Sequence, residues 1–451
     1  MAETTGKVQH TGTMGKWSML AMGVGSVIGS GIVTLVGQAM GVTGHSTFWA
    51  YALALLMGFI YNIPMIFVTG ALRVDGGPYG LINTVLGKKF GGMYAFGFFL
   101  YFPTTALYAL SFGTYVQALI PTANVRITAA IVLTAFYLIN IRGIKTLSNL
   151  QNIMSVLLIV GLATFSIMGI GKANPSILFD FADEEFMTGG VSGFFSATFI
   201  LFFSTFAQYY VMFMSRHSKN PKYDMPFSII GTTIVIAVLY LSVTIVASTV
   251  LPLEIVANQP LTYVAKEIMS TPLFIFFIIA GPFMALATTI NGCYACYVEP
   301  IYVATQNGWF PASFAKLNRY GSPWKIMTIM WVVSLLPLIL GWDIKTTTNS
   351  SLLVNLTLST LMIVSIALVP KKYPEIWAKR GFGKHVPTGV FYFFVFLALL
   401  VQIAIICHNI VSVKPYIVII TVLVFGFGIF YAIKKEKTGG IQVESLEFTD
   451  E

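Results

Sequence analysis

Apolar and polar residues along the chain sort into long apolar blocks separated by short polar connections. Twelve blocks can be marked, at 17–41, 46–70, 92–120, 127–141, 149–171, 191–214, 226–250, 272–305, 326–341, 349–369, 388–411 and 415–433. Most reach the roughly 20 residues that a helix needs to cross about 30 Å of hydrocarbon, and the fourth and ninth are short. The pattern predicts an all-α polytopic membrane protein of 12 transmembrane helices. Inside the first block, Gly25-Ser26-Val27-Ile28-Gly29-Ser30-Gly31 places three glycines and two serines where a continuous apolar helix is expected. Glycine is a poor helix residue, so this segment predicts a helix that stops and restarts. Backbone outside a helix at membrane depth is tolerated only where it is buried in protein or lines a cavity. The freed N–H groups at the start of the second half-helix then form an anion site, which points to a binding site at the bilayer midplane.

Composition supports the membrane reading. The 451 residues are 56% hydrophobic and only 10% charged, with a mean hydropathy of +0.81, against about a quarter charged in soluble domains. The net charge of +9 suggests a nucleic-acid partner, but its distribution does not. With the N-terminus placed inside, 21 of the 26 basic residues, from Lys7 and Lys16 to Lys434, Lys435 and Lys437, fall in cytoplasmic segments. Only Arg126, Lys172, Lys266, Lys345 and Lys414 lie outside, so twelve spans with both termini cytoplasmic satisfy the positive-inside bias. The expected location is the plasma (cytoplasmic) membrane, with the lipid bilayer as partner and no nucleic acid. Met1–Lys16 is polar and the first apolar run is too long for a signal peptide, so no cleavable leader is expected. The C-terminal tail is acidic (Glu444, Glu447, Asp450, Glu451), and so is the outside connection 172–190 (Asp180, Asp183, Glu184, Glu185). The latter reads as a solvated loop, with gathering of cationic solutes as the sharper alternative.

Metal and cofactor chemistry find little support. Cys293 and Cys296 form a CxxC within a continuous apolar helix with no second ligand pair, and read as small buried hydrophobes. No cofactor and no metal site is expected. If spans 1–5 and 6–10 are paired repeats, span 6 is the partner of span 1 and should also be interrupted. It reads Phe202-Phe203-Ser204-Thr205-Phe206-Ala207-Gln208-Tyr209-Tyr210, a polar cluster without glycine, so its break is weaker by local evidence.

These residues resemble the amino acid–polyamine–organocation (APC) superfamily over most of the chain. The resemblance rests on Ile28-Gly29-Ser30-Gly31-Ile32 in span 1 and Asp75-Gly76-Gly77-Pro78-Tyr79 after span 2. Arg142-Gly143-Ile144-Lys145 precedes span 5, Lys219-Asn220-Pro221-Lys222 with Met225-Pro226 follows span 6, and Asn307-Gly308-Trp309-Phe310-Pro311 follows span 8. It implies a LeuT-like 5+5 inverted repeat with discontinuous spans 1 and 6. The cytoplasmic tail would be 1–16, the repeats 17–171 and 191–369, two additional helices 388–433, and the second tail 434–451. It also implies that spans 1, 2, 6 and 7 rock against spans 3–5 and 8–10.

Residue by residue, the resemblance implies that Ser30, Gly31 and Ile32 offer N–H groups to a substrate carboxylate, beside Ser26 and Gly29. The carbonyls of Val27, Phe203 and Phe206 would take an α-amino group, and Phe203 would cover the substrate from outside. Ser204, Thr205, Ala207 and Gln208 complete the span-6 wall, with Ala207 in place of the usual glycine. Gln208 and Tyr209 stand where relatives often carry an aromatic residue followed by glutamate, and Leu158 stands where some proton-coupled relatives carry lysine. Both charges being absent, facilitated diffusion or obligatory exchange gains over proton symport. On span 8, Asn291 and Cys293 fall at substrate depth, and Thr288 and Thr289 read as packing groups or sodium ligands. Tyr101, Pro103 and Tyr108 of span 3 are further candidates. Glu299 is the only acidic residue well inside a span and occupies a position where many relatives have arginine. It reads either as a gating or coupling group or counter-charge, or as a partner of loop groups such as Arg73 or Arg142.

The expected function is secondary transport of amino acids, neutral, apolar or aromatic ones favoured, by alternating access and as an exchanger. Proton- or sodium-coupled import and amine or polyamine antiport are the alternatives. A solute receptor would need an output domain, and tails of about sixteen and eighteen residues do not supply one. An enzyme would need an intramembrane catalytic pair, which a lone Glu299 does not make.

Overall fold

A computed structural model of the chain describes residues 12, 14–73, 76–438, 441 and 447–448. Lys7, Asp75 and the tail residues Glu444, Asp450 and Glu451 lie outside the described residues, as does the Arg73 side chain.

The first two apolar blocks form one long helical stretch, folded back on itself. It comprises α1 (Lys16–Val27), a π-helical turn (Gly31–Leu35) and α2 (Val36–Thr43), then α3 (Thr47–Thr69). Unfolded to a single rod, its 54 residues would span about 80 Å, more than twice the hydrocarbon core. Gly44, at φ +67°, reverses the chain between α2 and α3, a conformation that costs glycine nothing. Next come α4 (Pro78–Val85) and α5 (Lys88–Gly97), then α6 (Thr104–Leu119) and the shorter α7 (Val125–Asn140). Asn124 caps α7 by accepting the N–H groups of Arg126 and Ile127. α8 (Ile144–Ile170) precedes the acidic connection.

The chain continues with α9 (Gly190–Phe202), a 3-10 segment (Ala207–His217) and α10 (Pro221–Thr249). Two small helices, α11 (Leu253–Val256) and α12 (Thr262–Ile268), lead to α13 (Thr271–Ile278). A π turn at Ile279–Phe283 joins α13 to α14 (Met284–Gln306). Pro282 explains that turn, since proline has no N–H to donate and its ring clashes with the carbonyl four residues back. The remaining helices are α15 (Trp324–Ile339), α16 (Ile344–Lys372), α17 (Pro374–Ala378), α18 (Thr388–Ser412) and α19 (Pro415–Thr438).

Nine stretches among the described residues, Lys16–Thr69 counted once, are helical, long and apolar enough to cross a membrane, and α7 and α15 are shorter apolar helices. The only strands among the described residues, Leu72–Arg73 and Glu447–Phe448, are two residues each and pair antiparallel. The chain is a multi-pass, all-helical membrane protein. α1 lies at the centre, packed against α8, α10 and α14. α18 packs on α3 and α16, and α19 on α5, at the periphery. There α19 exposes Ile419, Val422, Leu423 and Phe427, an apolar face suited to lipid.

Candidate functional site

The interruption in span 1 is narrow. α1 ends at Val27, Ile28 has an extended ψ of 99°, and helix resumes at Ser30. The first N–H groups of a restarted helix lack intrahelical partners. The glycines answer a packing demand here, because none of Gly25, Gly29 and Gly31 has a positive φ. A Cβ on Gly31 would lie 1.9 Å from Ser204 Cβ, one on Gly29 2.6 Å from Thr289 Oγ1, and one on Gly25 2.1 Å from Gln151 Nε2. Span 1 thus approaches three neighbouring helical segments at side-chain-free distance.

Span 6 is interrupted despite having no glycine at the break. α9 stops at Phe202, Phe203 to Thr205 form turns, and the 3-10 helix begins at Ala207. Side chains satisfy the freed backbone. Thr205 Oγ1 donates to the carbonyls of Ala54 and Phe202, and Ser204 Oγ donates to Leu201 O while pairing with Tyr51 Oη at 2.8 Å. Asn62 of α3 donates to Phe206 O at 3.0 Å and to Gln208 Oε1 at 2.8 Å. The weaker break expected from the missing glycine is therefore a full one, and its supports come from α3.

The two interruptions face each other across a cavity of about 10 Å³, the room of one water. Span 1 contributes Ser26, Val27, Ser30 and Gly31, and span 6 contributes Phe203, Ser204, Phe206 and Ala207. Tyr101, Tyr108 and Tyr210 close it, and no Lys, Arg, Asp or Glu among the described residues lines it. Ser30 Oγ is fully buried and has no hydrogen-bond partner. At the other side, Tyr210 Oη bonds to Tyr101 Oη and accepts Asn355 Nδ2 at 3.1 Å. The site is therefore neutral, with an unused hydroxyl and helix-start donors facing a tyrosine-hydroxyl wall.

Several expected residues stand outside this cavity. Gly29 faces Thr289, whose hydroxyl lies 3.0 Å from Ile28 O, 3.3 Å from Gly25 O and 2.9 Å from Ala285 O. Thr288 bonds back to Ala285 O, and Ile32 is packed in the core. Thr205 and Gln208 are turned toward α3. Tyr209 Oη contacts Ser359 Oγ at 3.3 Å, and Asn291 donates to Gln151 Oε1 at 2.8 Å. Cys293 is buried beside the site without lining it. The Val27 carbonyl accepts Tyr240 Oη at 3.3 Å, so one of the expected amino-group acceptors is shared with α10. Pro103 does not line the cavity either. Glu299 lines a separate cavity of about 220 Å³ with His217, Asn140 and Ser322.

Tyr210 was missed from sequence. In a 3-10 helix, residues i and i+3 eclipse, so Tyr210 shares the face of Ala207.

Similarity to known proteins adds to this geometry. The sequence profile of the amino acid permease family matches residues 14–429. The chain belongs to that family. The permease is 24% identical over 423 residues to the branched-chain amino acid permease BcaP of Lactococcus lactis subsp. cremoris, covering 85% of this chain and 88% of that one. It is 23% identical over 390 residues to the methylthioribose transporter of Bacillus subtilis, covering 81% and 83%. It is also 23% identical over 390 residues to cationic amino acid transporter 1 of Arabidopsis thaliana, covering 80% and 63%. The permease is a transporter and not an enzyme.

Proposed function

We propose that the chain is an alternating-access exchanger of neutral amino acids, apolar or aromatic ones preferred, in the plasma membrane. The observation that carries the reading is the cavity between the two helix interruptions, with the Ser30 hydroxyl unpaired and no charged side chain in its wall. A zwitterion uses both polarities of such a site: its carboxylate meets the helix-start donors, and its ammonium meets backbone carbonyls. A charged side chain would need an opposite charge in the wall, and the lining residues supply none. The apolar rings of Phe203 and Phe206 suit an apolar side chain. The names of the branched-chain permeases agree with this preference.

The same reading places twelve passes in the membrane with both termini cytoplasmic, as a LeuT-like 5+5 repeat and two added helices. Its support is the charge bias together with the helices: counting Lys16–Thr69 as two passes and adding α7 and α15 gives twelve. At about 10 Å³ the cavity is collapsed, so a substrate enters only when span 6 moves relative to span 3, which carries Tyr101, and to α16. The Tyr210–Tyr101 and Tyr210–Asn355 hydrogen bonds join those parts and would break and reform in each cycle.

Uptake of labelled leucine and phenylalanine into proteoliposomes tests the proposal. Uptake should require internal unlabelled amino acid and ignore imposed proton and sodium gradients. Accumulation in empty vesicles driven by a proton gradient would overturn exchange and turn attention to Glu299.

A further inference from the structure

A second cleft, of about 480 Å³, lies between α2, α9, α16 and α18 and shares no lining residue with the central cavity. Its chemistry changes with depth. Lys345 stands in the first turn of α16, and Leu352, seven residues further on the same helix, is at the floor, about 10 Å below. α18 repeats the trend, with Ser412 and Asn409 toward the helix end and Ile405 below them. Ile200 of α9 completes an apolar floor.

The walls of the cleft are held in place. Asn409 Nδ2 donates to Asn349 O at 2.7 Å, tying α18 to α16. The His408 ring packs on Phe199 at 5.0 Å, joining α18 to α9. Asn258, at φ +61°, donates its N–H to Gly37 O at 2.7 Å, and its side chain rests where a Cβ on Gly41 would lie. Lys345 is the only permanent charge in the lining, and no carboxylate among the described residues lines the cleft. Asp343, two residues away, is engaged as the cap of α16, with Oδ1 accepting Thr346 N–H at 2.8 Å.

We propose that this cleft binds an amphiphilic anion, its charged head at Lys345 and its apolar tail against Ile200, Leu352 and Ile405. The depth matches a carboxylic acid of five or six carbons. A free carboxylate from water and the head and upper chain of an anionic lipid present the same chemistry. The inference stands apart from the transport substrate, because it uses none of the central residues.

The test is protection of a cysteine at the rim. Ser412→Cys, in a Cys407→Ser background, is reconstituted in phosphatidylcholine nanodiscs and labelled with an anionic methanethiosulfonate. Adding 4-methylpentanoate, which has no α-amino group for the central site to recognise, should slow labelling by about tenfold at about ten times its Kd, since protection scales as one plus the ratio of ligand concentration to Kd. Acetate at the same concentration should protect far less, because it lacks the tail. Lys345→Gln should abolish protection, and as an exposed residue it leaves the fold intact. Nanodiscs of phosphatidylglycerol distinguish the source: protection without added carboxylate, lost in Lys345→Gln, identifies the lipid. No protection in either membrane, or protection that survives Lys345→Gln, overturns the proposal. Leucine uptake can fail in every condition without altering any of these outcomes.

Discussion

Replacing Gly31 by alanine should damage substrate binding far more than the loss of flexibility alone would suggest. The new Cβ would sit 1.9 Å from Ser204 Cβ, 2.7 Å from its Oγ and 3.2 Å from its Cα. Carbon atoms in contact rest at about 3.5–4.0 Å, so the two interruptions must part by roughly 1.6 Å or more. Neither can yield easily. Ser204 is tied to Tyr51 and Leu201, and Thr205 next to it is tied to Ala54. Forcing a methyl group into a packed interior costs about 1–3 kcal/mol, which corresponds to a roughly 5- to 150-fold loss if it falls on the binding-competent state. The assay is equilibrium binding of labelled leucine to purified protein, with thermal unfolding in the same detergent as a stability control. A double-mutant cycle makes the cause specific. Ser204→Gly removes the colliding Cβ, so Gly31→Ala should cost much less in that background than in the native one. Binding within about twofold of native for Gly31→Ala, or an equal cost in both backgrounds, refutes the close-contact account.

Other perturbations follow from the same contacts. Asn62→Leu leaves Phe206 O and Gln208 without their donor and should lower stability by about 1–3 kcal/mol, read as a shift in thermal unfolding, with leucine exchange slowed in parallel. Tyr210→Phe removes the hydroxyl that joins Tyr101 and Asn355; leucine exchange should change, and adding Tyr101→Phe should do little more, because both changes delete one network. Glu299→Gln should keep leucine–leucine exchange within about twofold, since Glu299 lines a different cavity, and a collapse of exchange would place it in the transport path. Asp343→Ala should cost about 1 kcal/mol as a lost helix cap. Burial raises the Asp343 carboxyl pKa, but hydrogen bonds from the Thr346 side chain and N–H outweigh it and hold the pKa below the ordinary value. A depressed pKa means that the cap's charge-dependent contribution is complete above the ordinary carboxyl pKa and vanishes as pH falls through the lowered one. The stability gap between native protein and Asp343→Asn should therefore stay constant at neutral pH and close only on that acid side.

The division of the chain into helices was readable because hydrocarbon imposes length and polarity on each crossing. Even the short blocks at 127–141 and 326–341 correspond to helices within two residues of those bounds, α7 and α15. The interruption in span 1 was legible for a related reason, although its glycines serve contact more than conformational freedom. Span 6 was harder to read. What holds its backbone open is Asn62 and the Ala54 carbonyl, roughly 150 residues earlier in the chain, and no local pattern in Phe203–Gln208 announces them. Polar side chains at the right depth are not distinguished by sequence from those that tie helices together. Gln208 and Asn291 look like site residues in one dimension, yet each is bonded to an amide on another helix. Tyr210 reaches the wall from a 3-10 segment, a local geometry that hydrophobic spacing does not specify.

That geometry stores length. Eleven residues from Ala207 to His217 at the 3-10 rise of about 2.0 Å reach roughly 22 Å, whereas the same residues as α-helix would reach about 16.5 Å. Converting the segment would draw its two ends together by about 5 Å, close to one helical pitch. It would also shift the edge-to-face rings of Tyr210 and Phe213, now 5.6 Å between centroids. With such a segment beside the central cavity, one strut can shorten while its neighbours keep their lengths. Such a change of length is telescopic, a displacement distinct from rotation about a hinge.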